Sequence, residues 1–143
     1  MIEWITFELA VAIHERQLAE HGGGTGVRDE SLLRSALARP QQLHSYGEPP
    51  PDLAELAAAL AMGIAKNHPF VDGNKRTAHV AYRLFLALNG VKLVATSEDK
   101  YLQMYGLASG TITEREFAEW IRRVSGVDSG NAVQDERGRY AAA

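Results

Sequence analysis

The segment HPFVDGNKRTAHVAYR, from His68 to Arg83, joins two helical patterns through a turn of only a few residues. Pro69 disfavours helical geometry at the residue before it, so the first helix is predicted to end at His68. The second helical pattern begins at Lys75. Because so short a turn keeps the two helices close together, the rest of the chain has to pack around this pair.

The other helices are indicated by capping residues and by apolar residues at helical spacing. Predicted helix starts are Thr6, Asp29, Asp52 with Glu55, Thr96 or Ser97, and Thr113 with Glu116. Predicted stops are Gly22, Pro40, His68, Gly90 and Gly110. On the two central helices, the predicted buried stripes are Leu53, Leu56, Ala57, Leu60 and Ile64, and then Ala81, Leu84, Phe85 and Leu88. These patterns predict an all-α protein.

Two segments have no helical period. Residues 40–52 hold four of the chain's five prolines, which predicts an exposed connection. A short flap or hairpin beside the functional turn and a plain linker both agree with this composition. Residues 126–143 are mostly small and polar, which predicts a flexible tail. We therefore predict a single domain over residues 1–125.

Composition and charge restrict the classes of function. A formal charge of −3 disfavours direct DNA binding and binding to anionic membranes, both of which use an excess of Lys and Arg. The chain has no cysteine, so disulfides and thiolate metal sites are excluded. No apolar run approaches the roughly 20 residues that span a bilayer, and the N-terminal residues lack the basic start of a signal peptide. We expect a cytoplasmic enzyme or interaction domain.

Two residues of the turn, His68 and Asp72, have side chains suited to acid–base and metal chemistry. An imidazole that is neutral near pH 7 can accept a proton from a serine or threonine hydroxyl. A carboxylate beside a phosphate is a natural ligand for Mg²⁺, which takes one or two protein carboxylates plus phosphate oxygens. The structural alternatives are a histidine that caps a helix or fills the core, and a plain surface carboxylate. The charges crowded into the turn favour a functional site with His68 as base and Asp72 as magnesium ligand.

The residues that follow Asp72 predict a phosphate site at the start of the second helix: Gly73, Asn74, Lys75 and Arg76. Glycine allows a close backbone approach to an anion, and Asn74 is suited to capping the helix or donating its amide to phosphate. Two cations at a helix N-terminus oppose the macrodipole by roughly 0.3–1 kcal/mol each, and a bound anion would offset this. The alternative is a solvated basic face.

Two further features lie outside the turn. Arg83 shares a helix face with Arg76 and His79, so we include Arg83 among the predicted nucleotide-binding residues. The glycine-rich stretch Gly22–Gly26 lacks the Lys and Ser/Thr of a P-loop and follows no strand. We predict that it is an ordinary loop without a role in phosphate binding.

The motif HPFVDGNKRT, residues 68–77, resembles the Fic/Doc superfamily and most closely the death-on-curing (Doc) toxins of toxin–antitoxin modules. A second similar stretch is GVRDESLLRSALARPQ, residues 26–41. The resemblance implies a compact Fic/Doc-type helical bundle with ATP and Mg²⁺ as cofactors. It implies that His68 activates a target hydroxyl, that Phe70 anchors the turn in the core and that Asp72 binds Mg²⁺. It also implies that nucleotide phosphates are bound by Gly73, Asn74, Lys75 and Arg76. We count Lys75 and Arg76, with His68 and Asp72, among the predicted catalytic residues.

This sequence differs at two positions from HPFxxGNGRxxR, the pattern of Fic enzymes that transfer AMP. The differences bear on which of two transfer reactions the resemblance implies. Lys75 replaces its second glycine and His79 its final arginine. The Lys-Arg pair is similar to the Doc branch, which implies transfer of the γ-phosphate of ATP to elongation factor Tu and inhibition of translation. AMP transfer is the alternative reaction.

A further departure concerns control of the activity. The inhibitory signature [S/T]xxxE[G/N] does not occur in this sequence. We therefore expect inhibition by an antitoxin supplied in trans. DNA contact would then belong to the antitoxin. The non-catalytic alternative is a module whose main role is to bind that antitoxin.

Overall fold

The structure is a computed structural model that describes residues 1–125 and contains six helices in that range. They are α1 (Phe7–His21), α2 (Glu30–Tyr46), α3 (Leu53–Asn67), α4 (Asn74–Leu88), α5 (Ser97–Ser109) and α6 (Glu114–Ser125). Over these residues the extended backbone pairs only at one isolated antiparallel bridge, between Val27 and Phe70. The predicted all-α fold is confirmed. The predicted tail, residues 126–143, lies outside the described residues.

Side-chain caps start most of these helices where the sequence predicted them. The Thr6 hydroxyl accepts a hydrogen bond from the Leu9 amide at 3.1 Å, and Asp29 and Thr96 cap α2 and α5 in the same way. Two reciprocal capping boxes open α3 and α6, between Asp52 and Glu55 and between Thr113 and Glu116. Each cap contributes typically about 1 kcal/mol by satisfying amides at the helix start.

Helix α3 is the centre of the fold and packs against α2, α4, α5 and α6. Most of its residues are buried, and many of them are alanines, so the neighbouring helices approach closely. A Cβ added at Gly63 would lie only 3.2 Å from Ala36 of α2. Since α3 ends one residue before His68, this buried helix positions the functional turn.

The N-terminus of α3 is tied to α6 by an ion pair. Arg122 Nε donates to Asp52 Oδ2 at 2.6 Å, and only 4% of the Asp52 side chain is exposed. Arg122 also lies 3.5 Å from Glu55. The hydrogen bond to Asp52 is the main cause of the raised pKa of Arg122.

The prediction that α2 ends at Pro40 is wrong. Pro40 lies inside α2, which continues to Tyr46, so the first half of the predicted 40–52 connection is helical and forms neither hairpin nor flap. Proline inside a helix costs about 3 kcal/mol because it removes one hydrogen bond. Tertiary contacts offset this cost. Pro40 is buried, Leu43 packs on the core, and the ring centroids of His44 and Trp4 are 5.6 Å apart.

Two details of α4 also differ from prediction. Leu84 is only half-buried and Leu88 is exposed, whereas Ala78, Tyr82 and Leu86 join Ala81 and Phe85 in the core. The buried stripe is thus shifted around the helix. Asn74 does not cap α4, because Gly73 is the N-cap residue and none of the described side chains bonds the first turn. None of the helices within residues 1–125 is long and apolar enough to cross a membrane.

Candidate active site

His68 caps the C-terminus of α3 in a left-handed backbone conformation, with φ 50° and ψ 55°. Such a conformation costs a non-glycine residue about 1–2 kcal/mol. Arg28 compensates by binding the end of the helix, donating from Nε to the His68 carbonyl at 2.8 Å and from Nη2 to the Asn67 carbonyl at 3.0 Å. The His68 side chain is exposed, so its imidazole is open to a substrate.

The turn after His68 is supported by the loop that precedes α2. The Arg28 amide donates to the Pro69 carbonyl at 2.7 Å, and the Val71 amide donates to the Gly26 carbonyl at 3.1 Å. Phe70, between these two bonds, is 1% exposed, which confirms the prediction that it anchors the turn in the core. The backbone of the turn is therefore fixed from a distant part of the chain.

Asn74 closes the turn from within. Its Oδ1 accepts from the Phe70 amide at 2.9 Å, and its Nδ2 donates to the Phe70 carbonyl at 3.0 Å. Both polar atoms of the side chain thus bond the turn backbone. The predicted contact between the Asn74 amide and a phosphate stays a prediction.

The Asp72 carboxylate lies on the surface of the turn and accepts two backbone hydrogen bonds. Gly73 N–H donates to Oδ1 at 2.8 Å, and Gly24 N–H donates to Oδ2 at 3.3 Å. The Gly73 bond is the largest cause of a lowered pKa of Asp72, followed by the Gly24 bond, with the charges of Arg76 and His14 adding to it. The carboxylate is therefore ionised at neutral pH.

The two cations at the start of α4 diverge. Arg76 Nη2 donates to the Gly22 carbonyl at 3.2 Å, while its buried Nε has no hydrogen-bond partner among the described residues. Lys75 points toward α5, with Nζ 4.5 Å from the centroid of the Tyr105 ring. Arg76 therefore lies on the α1 side of the turn and Lys75 on the α5 side.

Arg83 lies away from the turn. It is seven residues beyond Arg76, about 10 Å along the helix axis, and lines a groove of about 510 Å³ together with Lys92 and Lys100. Burial, with the charges of Arg83 and Lys100, lowers the pKa of the neighbouring His79 to about 4. The structure does not bring Arg83 together with Asp72, and its predicted contact with a nucleotide stays a prediction.

Sequence reasoning missed two parts of the site. The first is His14 of α1, which is 2% exposed and whose Nε2 lies 2.7 Å from the Asp72 carbonyl oxygen. The sequence feature that could have indicated His14 is a titratable residue on the apolar face of α1, four positions after Ala10. The second part is the glycine loop, since a Cβ at Gly23 would lie 2.7 Å from Asp72 Oδ2.

The arrangement combines groups that are suited to transferring a phosphate. An exposed imidazole stands at one end of the turn, an ionised carboxylate in its middle and an uncapped helix N-terminus with two cations at the other end. The amides at a helix start and its positive dipole end favour anions. The turn can therefore offer a base, a metal ligand and an anion site within a few residues.

Comparison with known proteins agrees with this arrangement. The profile of the Fic/DOC family matches residues 4–86, more than half of the chain. "Toxin Doc" of Mycolicibacterium smegmatis is 50% identical over 74 residues, which are 52% of this chain and 57% of that protein, so the match spans little more than half of that relative. "Protein kinase doc" of Escherichia phage P1 is 34% identical over 122 residues, which are 85% of this chain and 95% of that protein. The match of the profile and the nearly full-length similarity to the phage protein show that this chain belongs to the Fic/DOC family.

Proposed function

We propose that this protein is the toxin of a toxin–antitoxin module and a Doc-like kinase of the cytoplasm. It transfers the γ-phosphate of ATP to a serine or threonine hydroxyl of a translation factor, with elongation factor Tu as the expected target, and so inhibits protein synthesis. The observation that carries the proposal is the single short turn that holds the exposed His68, the ionised Asp72 and the uncapped start of α4.

His68 is the proposed general base. As the target hydroxyl oxygen attacks the γ-phosphorus, its proton passes to the imidazole and the bond from the γ-phosphorus to the bridging oxygen of ADP breaks. General base catalysis by histidine typically contributes about 10²–10⁴-fold in rate. The two Arg28 bonds fix the left-handed main chain of His68 at the start of the turn.

The residues of the turn fit a magnesium ion bound together with a nucleotide. Asp72 supplies one ionised carboxylate, and residues 1–125 contain no cluster of three or more His, Asp or Glu that could hold a metal by itself. Mg²⁺ commonly uses one or two carboxylates and takes its other ligands from phosphate and water. When bound, it would neutralise charge on the phosphates.

Phosphate oxygens would be held by the first amides of α4 and by Arg76. No side chain within residues 1–125 caps these amides, although capping side chains bond the first turns of α1, α2, α3, α5 and α6. Arg76 Nε has no hydrogen-bond partner among residues 1–125, and a phosphate oxygen would satisfy this donor. Lys75, a flexible point charge above Tyr105, would add charge neutralisation.

Two observations favour the kinase over AMP transfer. The relative that matches most of the chain carries the name "Protein kinase doc". In addition, we expect a side chain at position 75 to hinder the close phosphate approach that glycine permits in AMP-transferring sequences. An antitoxin supplied in trans would provide the inhibition, and DNA contact would belong to that partner.

The test is to incubate the protein with ATP, Mg²⁺ and elongation factor Tu and to weigh the products by mass spectrometry. We expect a gain of one phosphate on the target, abolished in His68→Ala, with the fold and antitoxin binding retained. A gain of one AMP would instead support the alternative transfer reaction. No modification of any translation factor, together with antitoxin binding, would favour the non-catalytic module, and growth arrest by His68→Ala would contradict the role of His68.

A further inference from the structure

His14 and Thr77 are the polar residues that are buried among residues 1–125, and His14 is the one that faces the functional turn. Its ring stacks on Phe70 with centroids 4.0 Å apart and planes 8° from parallel. The atom Nε2 lies 2.7 Å from the Asp72 carbonyl oxygen, and a Cβ at Gly73 would lie 3.8 Å from the ring. His14 therefore contacts the turn at Phe70 and at the Asp72 carbonyl, and it leaves little room for a side chain at position 73.

The hydrogen bond defines the protonation of the His14 ring at Nε2. A carbonyl oxygen only accepts hydrogen bonds, so Nε2 must carry the proton and donate it. Burying an imidazole without a partner costs free energy, and an apolar side chain would fill the face of α1 without that cost. What the imidazole adds at this place is the donor to the Asp72 carbonyl.

The His14 Nε2–H bonds the same peptide group whose N–H donates to the Asp72 carboxylate. The Asp72 carbonyl and the Gly73 N–H are the two ends of one planar peptide unit. His14 bonds the carbonyl end at 2.7 Å, and the N–H end donates to Asp72 Oδ1 at 2.8 Å. A rotation of this peptide would break both bonds, so the His14 bond fixes the direction in which the Gly73 amide points at the carboxylate. Hydrogen bonds at both ends of one amide also polarise each other.

We infer that His14 is a positioning residue: through its Nε2–H bond to the Asp72 carbonyl it fixes the 72–73 peptide and thereby the orientation of the Asp72 carboxylate. The inference rests on the proposed function in one respect, namely that this carboxylate holds Mg²⁺ bound with ATP. Loss of a residue that orients a metal ligand typically lowers metal affinity about 10–100-fold.

Two variants of the full chain separate the donor from the stacking. His14→Phe keeps an aromatic ring beside Phe70 but has no donor, whereas His14→Gln offers an N–H donor without the ring. The first measurement uses no ligand: hydrogen exchange and NMR shifts of the Gly73 and Gly24 amides, which both donate to Asp72. The second is calorimetric titration with Mg²⁺ alone and with Mg²⁺ and ATP.

We expect His14→Phe to speed exchange at the Gly73 amide and to weaken Mg²⁺ binding in the presence of ATP about 10-fold or more. We expect His14→Gln to restore most of both properties. If His14→Phe does not fold, a comparison of His14→Gln with His14→Met, which match in length but differ in the donor, gives the same test.

The inference would be overturned if His14→Phe had the same Gly73 amide exchange rate and the same Mg²⁺ affinity as the wild type. Equal exchange rates and affinities in the Gln and Met variants would overturn it as well. Wild-type protein that binds no Mg²⁺ with ATP would contradict the proposed function instead. In that case, faster exchange of the Gly73 amide in the variants without a donor would still support the positioning by His14, and unchanged exchange would overturn it.

Discussion

The carboxylate of Asp72 is held by amides from two distant parts of the chain, Gly73 in its own turn and Gly24 in the loop after α1. The turn itself is a contiguous motif, so its sequence alone predicts that His68, Asp72 and the cations at the start of α4 lie close together along the chain. The glycine loop and His14 could not be assigned in this way. Their role depends on where α1 ends relative to the turn, which is a property of the tertiary packing.

At the residue scale, Gly23→Ala should disturb the site. Its new methyl group would lie 2.7 Å from Asp72 Oδ2, so the carboxylate has to shift. We expect the Mg²⁺ concentration required for half-maximal transfer to rise about 10-fold. The matched control is Gly26→Ala, which also has a positive φ, 99° against 122°, but has open space around its Cβ. Equal Mg²⁺ requirements in the two variants would contradict this account.

The second prediction at this scale concerns the pH dependence of folding stability. Burial, with the charges of Arg83 and Lys100, lowers the pKa of His79 from the usual 6.5 to about 4. As the pH falls, the unfolded chain therefore takes up a proton first, and stability is lost between about pH 6.5 and 4. Without solvent screening, the unfolding free energy at pH 5 would be lower by about 2 kcal/mol. Because His79 is partly exposed, screening reduces this loss to about 1 kcal/mol.

Urea unfolding at pH 7.5 and pH 5 measures this loss. In His79→Leu the decrease in unfolding free energy should be smaller than in the wild type by about 1 kcal/mol. Between pH 7.5 and 8.5 both proteins should respond alike, because His79 is neutral in the folded and the unfolded state. An identical decrease at pH 5 in both proteins would show that His79 is protonated as readily in the folded state as in the unfolded chain.

At the scale of the helices, the sequence predicted the starts better than the lengths. Thr6, Asp29 and Thr96 cap as expected because a cap is a local arrangement of one side chain and an amide three residues on. Pro40 misled the prediction because the contact of His44 with Trp4 and the packing of Leu43 on the core are not local. Tertiary packing outweighs a local helix breaker here.

The link between α3 and α6 gives a prediction about elements. Arg122→Leu leaves the nearly buried Asp52 carboxylate without its ion partner, although the Glu55 amide still donates to it. We expect the unfolding free energy to fall by about 2–3 kcal/mol, somewhat less than for a fully buried pair. Arg115→Leu is the control, since its pair with Glu119 is exposed and should be worth about 0.5 kcal/mol or less. Chemical denaturation of both variants is the measurement, and equal losses would refute the importance of the α3–α6 pair.

At the scale of the whole molecule, the site depends on α3. The three parts of the site come from different places in the sequence and meet at the C-terminal end of this helix. The turn follows α3 directly, the loop before α2 pairs with Pro69 and Val71, and α1 supplies His14. Since α3 packs against four other helices, loosening its core should affect all of these contacts together. The sequence predicted the apolar face of α3, but not that this helix is buried on nearly every side.

Leu60→Ala tests this dependence. Leu60 is 2% exposed in the middle of α3, and its truncation should lower the unfolding free energy by about 2–5 kcal/mol. Because a domain of this size is stabilised by only about 5–15 kcal/mol, hydrogen exchange at the turn amides of Phe70 and Val71 should accelerate together with that of α4 and α6. Leu102→Ala, at a position 53% exposed on α5, should change stability by about 0.5 kcal/mol or less. If the turn amides of Leu60→Ala kept wild-type protection while α3 was destabilised, the site would be held by its own loop contacts and not by the central helix.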